Sequence, residues 1–158
     1  MRLTLYTDYA FRVLIYLETQ KDRLVSIGEI ARVYGVSENH LVKVVHRLGQ
    51  HGFIKTLRGR KGGLRLGRDA AEIYLGDVVR CTEDDLALVS CMRKDEAAAG
   101  CILVGGCRLK QTLLKARFAF MDVLDSVTLA DVTAPHERTI LMDAVQEVIA
   151  TPHEGPKG

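Results

Sequence analysis

Residues 26–52 read S-I-G-E-I-A-R-V-Y-G-V-S-E-N-H-L-V-K-V-V-H-R-L-G-Q-H-G. Ser26 followed three positions later by Glu29 is a capping box, in which a hydroxyl and a carboxylate satisfy the first free N–H groups of a helix. The spacing predicts a short helix over 27–34, ended by Gly35. Ser37 supplies a second N-cap, and a second helix runs from there to about residue 50, where Gly52 stops it. Two short helices joined by a tight glycine-containing turn make a helix-turn-helix. Leu41, Val44, Val45 and Leu48 form the inward stripe of the second helix. Asn39, His40, Lys43, His46, Arg47 and Gln50 then point outward, with Ser37 at the helix start, where side chains can reach a major groove.

Immediately downstream, F-I-K-T-L (53–57) and G-L-R-L (63–66) flank R-G-R-K-G (58–62), which predicts a β-hairpin with a basic glycine-rich tip. A helix-turn-helix followed by such a hairpin is a winged helix. Residues 37–68 carry 8 Lys+Arg and a single acid, Glu38. Arg58, Arg60 and Lys61, with Gly62 beside them, suit phosphates or a narrow minor groove.

The rest of the chain has the opposite character. Residues 1–70 hold 13 Lys+Arg against 6 Asp+Glu, and residues 71–158 hold 9 against 14. A basic front and an acidic rear place a polyanion-binding module beside something else. At 158 residues and 47% hydrophobic, the chain can bury a real core. It has no apolar run of membrane-spanning length. Asp8 and Arg12 break any signal-peptide core, so a cytoplasmic protein is expected. No nucleophile–base constellation points to an enzyme.

Working outward, residues 3–18 predict an amphipathic helix with Tyr6, Ala10, Val13, Leu14 and Leu17 on one stripe. Asp8 and Arg12 lie off it, four apart, spaced for an exposed ion pair. Residues 72–89 hold a short helical region with Ile73, Leu75, Val78 and Val79 apolar and an acidic patch at Glu83, Asp84 and Asp85. A long helix is expected from 108 to about 126. Its stripe is Leu109, Leu113, Ala116, Phe120, Leu124 and Val127, broadened by Phe118 and Met121. With no evident cover inside so small a chain, that stripe suggests an interface between two copies. A last helix opens at Pro135 with Ile140, Leu141, Ala144, Val145 and Val148 apolar, and residues 151–158 read as a tail.

Three of the 4 cysteines fall within residues 91–107, C-M-R-K-D-E-A-A-A-G-C-I-L-V-G-G-C. In a reducing compartment such thiols serve as ligands or sensors rather than disulfides. Thiolates are soft donors for iron–sulfur clusters or zinc, and glycines let the loop bring them together. Cys91, Cys101 and Cys107 are one donor short of the usual four. Cys81 reads as a small buried hydrophobe.

The opening M-R-L-T-x-Y-T-D-Y-A, the wing R-G-R-K-G-G-L-R-L, and C-R-L-K-Q-T-L followed by T-L-A-D-V-T resemble the iron–sulfur winged-helix regulators, the family containing NsrR-type and IscR-type members. The likeness spans residues 1–150. It implies a mainly α fold, a winged helix-turn-helix with a small hairpin wing and a long C-terminal dimerisation helix. The parts would be a DNA-binding domain over 1–80, a cluster-binding region over 81–107, the dimerisation and last helices over 108–150, and a flexible tail over 151–158. It implies a homodimeric repressor on a double-stranded DNA operator, with a cluster on Cys91, Cys101 and Cys107. Asp8 of the partner subunit would be the fourth ligand in the NsrR-type pattern, with Arg12 near the cluster. No histidine follows Cys107 closely, which favours that branch over the IscR type. Three thiolates and an oxygen serve 4Fe–4S or 2Fe–2S, and the likeness favours 4Fe–4S. Nitric oxide would be the signal, releasing DNA. An IscR-like iron–sulfur status or redox regulator, or a zinc or thiol sensor on the same scaffold, is the alternative. The gap between Cys91 and Cys101 is longer than the family pattern, and residues 94–99 are expected to loop out.

Overall fold

The computed structural model describes residues 2–93, 103 and 106–150, with side chains through 147. Cys101, the 94–99 insertion and the 151–158 tail lie outside them. The first helix, α1, spans Leu5–Thr19 and starts two residues later than the periodicity predicts, because Thr4 caps it through a hydrogen bond from Thr7 N. α2 (Ile27–Tyr34) begins at Ser26, whose hydroxyl accepts from Glu29 N. It ends on Gly35, whose φ of 61° is left-handed and suits a residue without a Cβ. α3 spans Glu38–Gln50. Ser37 stands at its N-cap position but its side chain makes no capping bond, and its main-chain carbonyl accepts from His40 N and Leu41 N instead.

The wing pairs β1 (Ile54–Leu57) with β2 (Gly63–Leu66) antiparallel, Ile54 opposite Leu66 and Leu57 opposite Gly63. Val25 adds a bridge to Leu64, bonding it in both directions at 3.1 and 2.8 Å. The wing is thus tied to the segment entering α2. α4 (Leu75–Thr82) is shorter than the helical region expected over 72–89, and the chain beyond it is irregular up to a 3₁₀ turn at Ser90–Met92. α5 (Arg108–Asp125) and α6 (Pro135–Ala150) complete the described fold.

α1 lies at the centre. It packs against α2, α3, α4, β2 and α6. Its Val13, Leu14, Tyr16 and Leu17 join Ile30, Leu41, Leu48, Ile73 and Leu129 in the core, all buried to within 2%. Burying each such large side chain contributes about 1.5–3 kcal/mol. The α5 stripe is covered only in part, in line with the expectation that little inside the chain would cover it. Met121 is buried, Phe120 and Leu124 are half-buried, and Leu109, Phe118 and Val123 are exposed. α5 packs on α4 and leaves much of its apolar surface uncovered among the described residues.

Candidate nucleic-acid interface and candidate metal centre

α3 buries Leu41, Val44, Val45 and Leu48, the inward set expected from the sequence. On a helix of 3.6 residues per turn, that leaves Asn39, Lys43, His46 and Gln50 on the opposite side. All four are exposed. His40 and Arg47 are also exposed but sit on one flank. The His40 ring stacks on Tyr9 of α1 with centroids 6.3 Å apart. Arg47 Nε donates to the Cys81 carbonyl at 3.0 Å, so its guanidinium leans toward α4 rather than straight out. Ser37 is exposed beside them. Sequence periodicity passed over Val42, which is 47% exposed on the open side of α3. An apolar residue off the buried stripe was the available signal. At the wing, Arg58, Arg60, Lys61 and Gly62 are all exposed.

The second cluster of interest surrounds the start of α1. Asp8 Oδ2 and Arg12 Nε form an ion pair at 3.0 Å, both side chains about two-fifths exposed. The Arg12 guanidinium also lies 5.5 Å from the Tyr34 ring centroid. Burial pushes the Tyr34 phenol up to about 12, with Arg12 pulling it down and Asp8 pushing it up. Cys107 caps α5, its Sγ accepting from Lys110 N at 3.4 Å. Cys91, in the 3₁₀ turn, and Cys107 are both half-buried. Cys81 is 4% exposed, and burial raises its thiol against the opposing pull of Arg47. Among the described residues, no three His, Cys, Asp or Glu side chains converge as a metal site.

One carboxylate has a role the sequence did not reveal. Glu83 Oε1 accepts from Thr4 N at 2.8 Å, from Thr4 Oγ1 at 2.9 Å and from Thr7 Oγ1. It therefore binds the start of α1 to the end of α4, and the 84–93 segment leads from it to Cys91.

The model of the Rrf2 family, described as iron-dependent transcriptional regulators, matches residues 3–135. The chain belongs to the Rrf2 family. It is 49% identical over 133 residues to the HTH-type transcriptional regulator NsrR of Bacillus licheniformis, covering 84% of this chain and 92% of that one. The namesake from Bacillus subtilis is 46% identical over 138 residues, covering 87% and 93%. Among solved structures, CymR, the global cysteine regulator of B. subtilis, superposes with a TM-score of 0.68 at 27% identity, over 85% of this chain and 97% of that one. T. potens IscR superposes with a TM-score of 0.65 at 25% identity, over 96% and 94%. This Rrf2 chain is accordingly a DNA-binding transcriptional regulator with the winged helix common to these relatives. No described helix is long and apolar enough to cross a membrane.

Proposed function

We propose that this Rrf2 protein is a cytoplasmic, homodimeric repressor that senses nitric oxide through an iron–sulfur cluster and releases its operator in response. The observation that carries the reading is the position of Asp8. It lies on α1, the same helix whose Tyr6 hydroxyl bonds the Lys43 carbonyl and whose Tyr9 stacks on His40 of α3. A ligand on α1 is therefore in mechanical contact with the helix that reads DNA.

The donor chemistry fits the cluster. Cys107 sulfur accepts the Lys110 main-chain N–H at the start of α5, a contact that fixes where this donor sits. Cys91, Cys101 and Cys107 would supply three thiolates from one chain, and Asp8 of the partner subunit the fourth donor. When bound, the cluster would supply iron reactive toward nitric oxide, held by three soft thiolates and by Asp8 as its one hard oxygen donor. Arg12 offers Asp8 a second partner, 3.0 Å away, so a released carboxylate returns to an ion pair within its own helix. α1 then shifts under α3, and the two reading helices of a dimer lose their matched separation. The uncovered apolar surface of α5 supports the dimer.

Anaerobic purification with iron and sulfide counts, visible spectra and DNA-binding assays with and without nitric oxide test this. The expected result is a coloured dimer, on the 4Fe–4S pattern, whose DNA affinity falls with nitric oxide. Asp8→Ala should change both the spectrum and the response. A colourless zinc protein, or an Asp8→Ala variant with wild-type spectrum and response, would overturn the reading.

A further inference from the structure

Among the described residues, α5 is anchored to the body chiefly at its C-terminal end. Met121 is buried near its C-terminus, while Leu109 at its start is 64% exposed. At the last residue of α5, the Asp125 carboxylate accepts two hydrogen bonds from Arg80 of α4, Nη1 to Oδ1 and Nη2 to Oδ2, each 2.6 Å. Such a fork-to-fork pair fixes orientation as well as distance. Asp77, on the preceding turn of α4, lies 3.6 Å from Arg80 Nη1 and restrains the guanidinium further.

Gly76 lies directly beneath this pair. A Cβ added there would meet Asp125 Oδ1 at 1.8 Å and its Cγ at 2.9 Å. Glycine inside a helix weakens it, and here the bare backbone is what lets the end of α5 settle on α4. The same turn of α4 reaches the reading helix, since Cys81, next to Arg80, accepts from Arg47 of α3. The Arg80 and Asp125 side chains are 50% and 37% exposed. Ion pairs this exposed contribute little to stability, whereas a bidentate pair over a glycine constrains direction.

We infer that Gly76, Arg80 and Asp125 form an orienting clamp that sets the angle of α5 to the helix-turn-helix, and with it the half-site spacing the dimer accepts. They are positioning residues for operator recognition, and the inference rests on the homodimeric DNA-binding reading above. In a dimer joined through α5, any change of that angle moves the two α3 helices relative to each other. Each base pair inserted between half-sites displaces one of them by about 3.4 Å along the duplex.

The test uses the full chain, purified anaerobically, and duplexes selected by the wild type from a randomised library. The selected half-sites are then re-spaced by single base pairs. Wild type should discriminate sharply among spacings. Asp125→Asn and Gly76→Ala should bind the selected spacing about tenfold more weakly, in the range of one mismatched base pair. They should lose little on the re-spaced duplexes and nothing on an isolated half-site. An unaltered spacing profile in Asp125→Asn, a variant that leaves the core untouched, overturns the clamp alone. A wild type that selects no paired half-sites overturns the dimeric reading and the clamp with it.

Discussion

The Tyr6 hydroxyl donates to the main-chain carbonyl of Lys43 at 2.9 Å, fastening the start of α1 to the middle of α3. Burial raises the phenol, against a smaller opposing effect of Arg47, so it remains a donor at neutral pH. Tyr6 is two residues from Asp8, and Lys43 is exposed on the side of α3 opposite its buried stripe. Tyr6→Phe removes one hydrogen bond and should lower folding stability by about 1 kcal/mol. The ratio of DNA affinities between the cluster-loaded and cluster-free protein should shrink about fivefold, the equivalent of that bond. Fluorescence anisotropy on both forms measures it. An unchanged ratio would show that α1 signals to α3 by another route.

The wing makes a different kind of prediction. Arg58, Arg60 and Lys61 are exposed at its tip, and such cations on a glycine-rich turn suit phosphates. Replacing any one with Ala should weaken binding to all sequences alike. The slope of log affinity against log salt should fall by about 0.9 for each phosphate that is no longer neutralised. Titrations at several salt concentrations decide this. A change of sequence preference without a change of slope would place the wing on base edges instead.

Much of this architecture was legible because its signals are local. The Ser26 cap of α2, the left-handed Gly35 and the hairpin all act within a few residues of themselves and lie where their chemistry predicts, while the carboxylate half of the capping box, Glu29, turns to Tyr16 and Arg23 instead. What could not be read depends on partners far along the chain. Glu83 belongs to a run of three acids that reads only as an acidic patch, yet it holds Thr4 and Thr7, more than 70 positions away. Val25 pairs with Leu64 by the same kind of distant interaction. By sequence His40 and Arg47 group with the outward face, but the helix turn puts them on its flank, where His40 meets Tyr9 of α1 and Arg47 meets α4. For the candidate cluster, three sulfurs were countable from sequence. Their convergence with Asp8 would need a second chain, which spacing within one chain does not encode.

Val42 extends the reading of α3. Its side chain is 47% exposed beside Asn39 and His46, and thymine alone presents a methyl group in the major groove. Substituting deoxyuridine for thymine, one position at a time, should reveal one position per half-site where wild type loses about fourfold in affinity, the worth of one buried methyl group. Val42→Ala should be indifferent to the substitution at that position. Equal sensitivity in both proteins would mean that Val42 does not touch a thymine.

Acid should loosen the seat of α2 on α1, and Glu29 is the group through which it acts. Its carboxylate accepts from the buried Tyr16 hydroxyl at 2.6 Å and from both terminal nitrogens of Arg23. Burial alone would raise the Glu29 carboxyl, but the hydrogen bonds from Arg23 and Tyr16 outweigh it and hold it below the usual carboxylate range. A carboxylate lowered on folding adds stability that is present above its unfolded value. That contribution fades as pH drops through the folded one. Glu29→Gln should therefore cost about 2 kcal/mol at neutral pH, as expected for charged hydrogen bonds. The gap between variant and wild type should narrow progressively below about pH 4.5. Urea unfolding across pH 3–7 measures both curves, and a gap that stayed constant down to about pH 3 would show that Glu29 is not the titrating group.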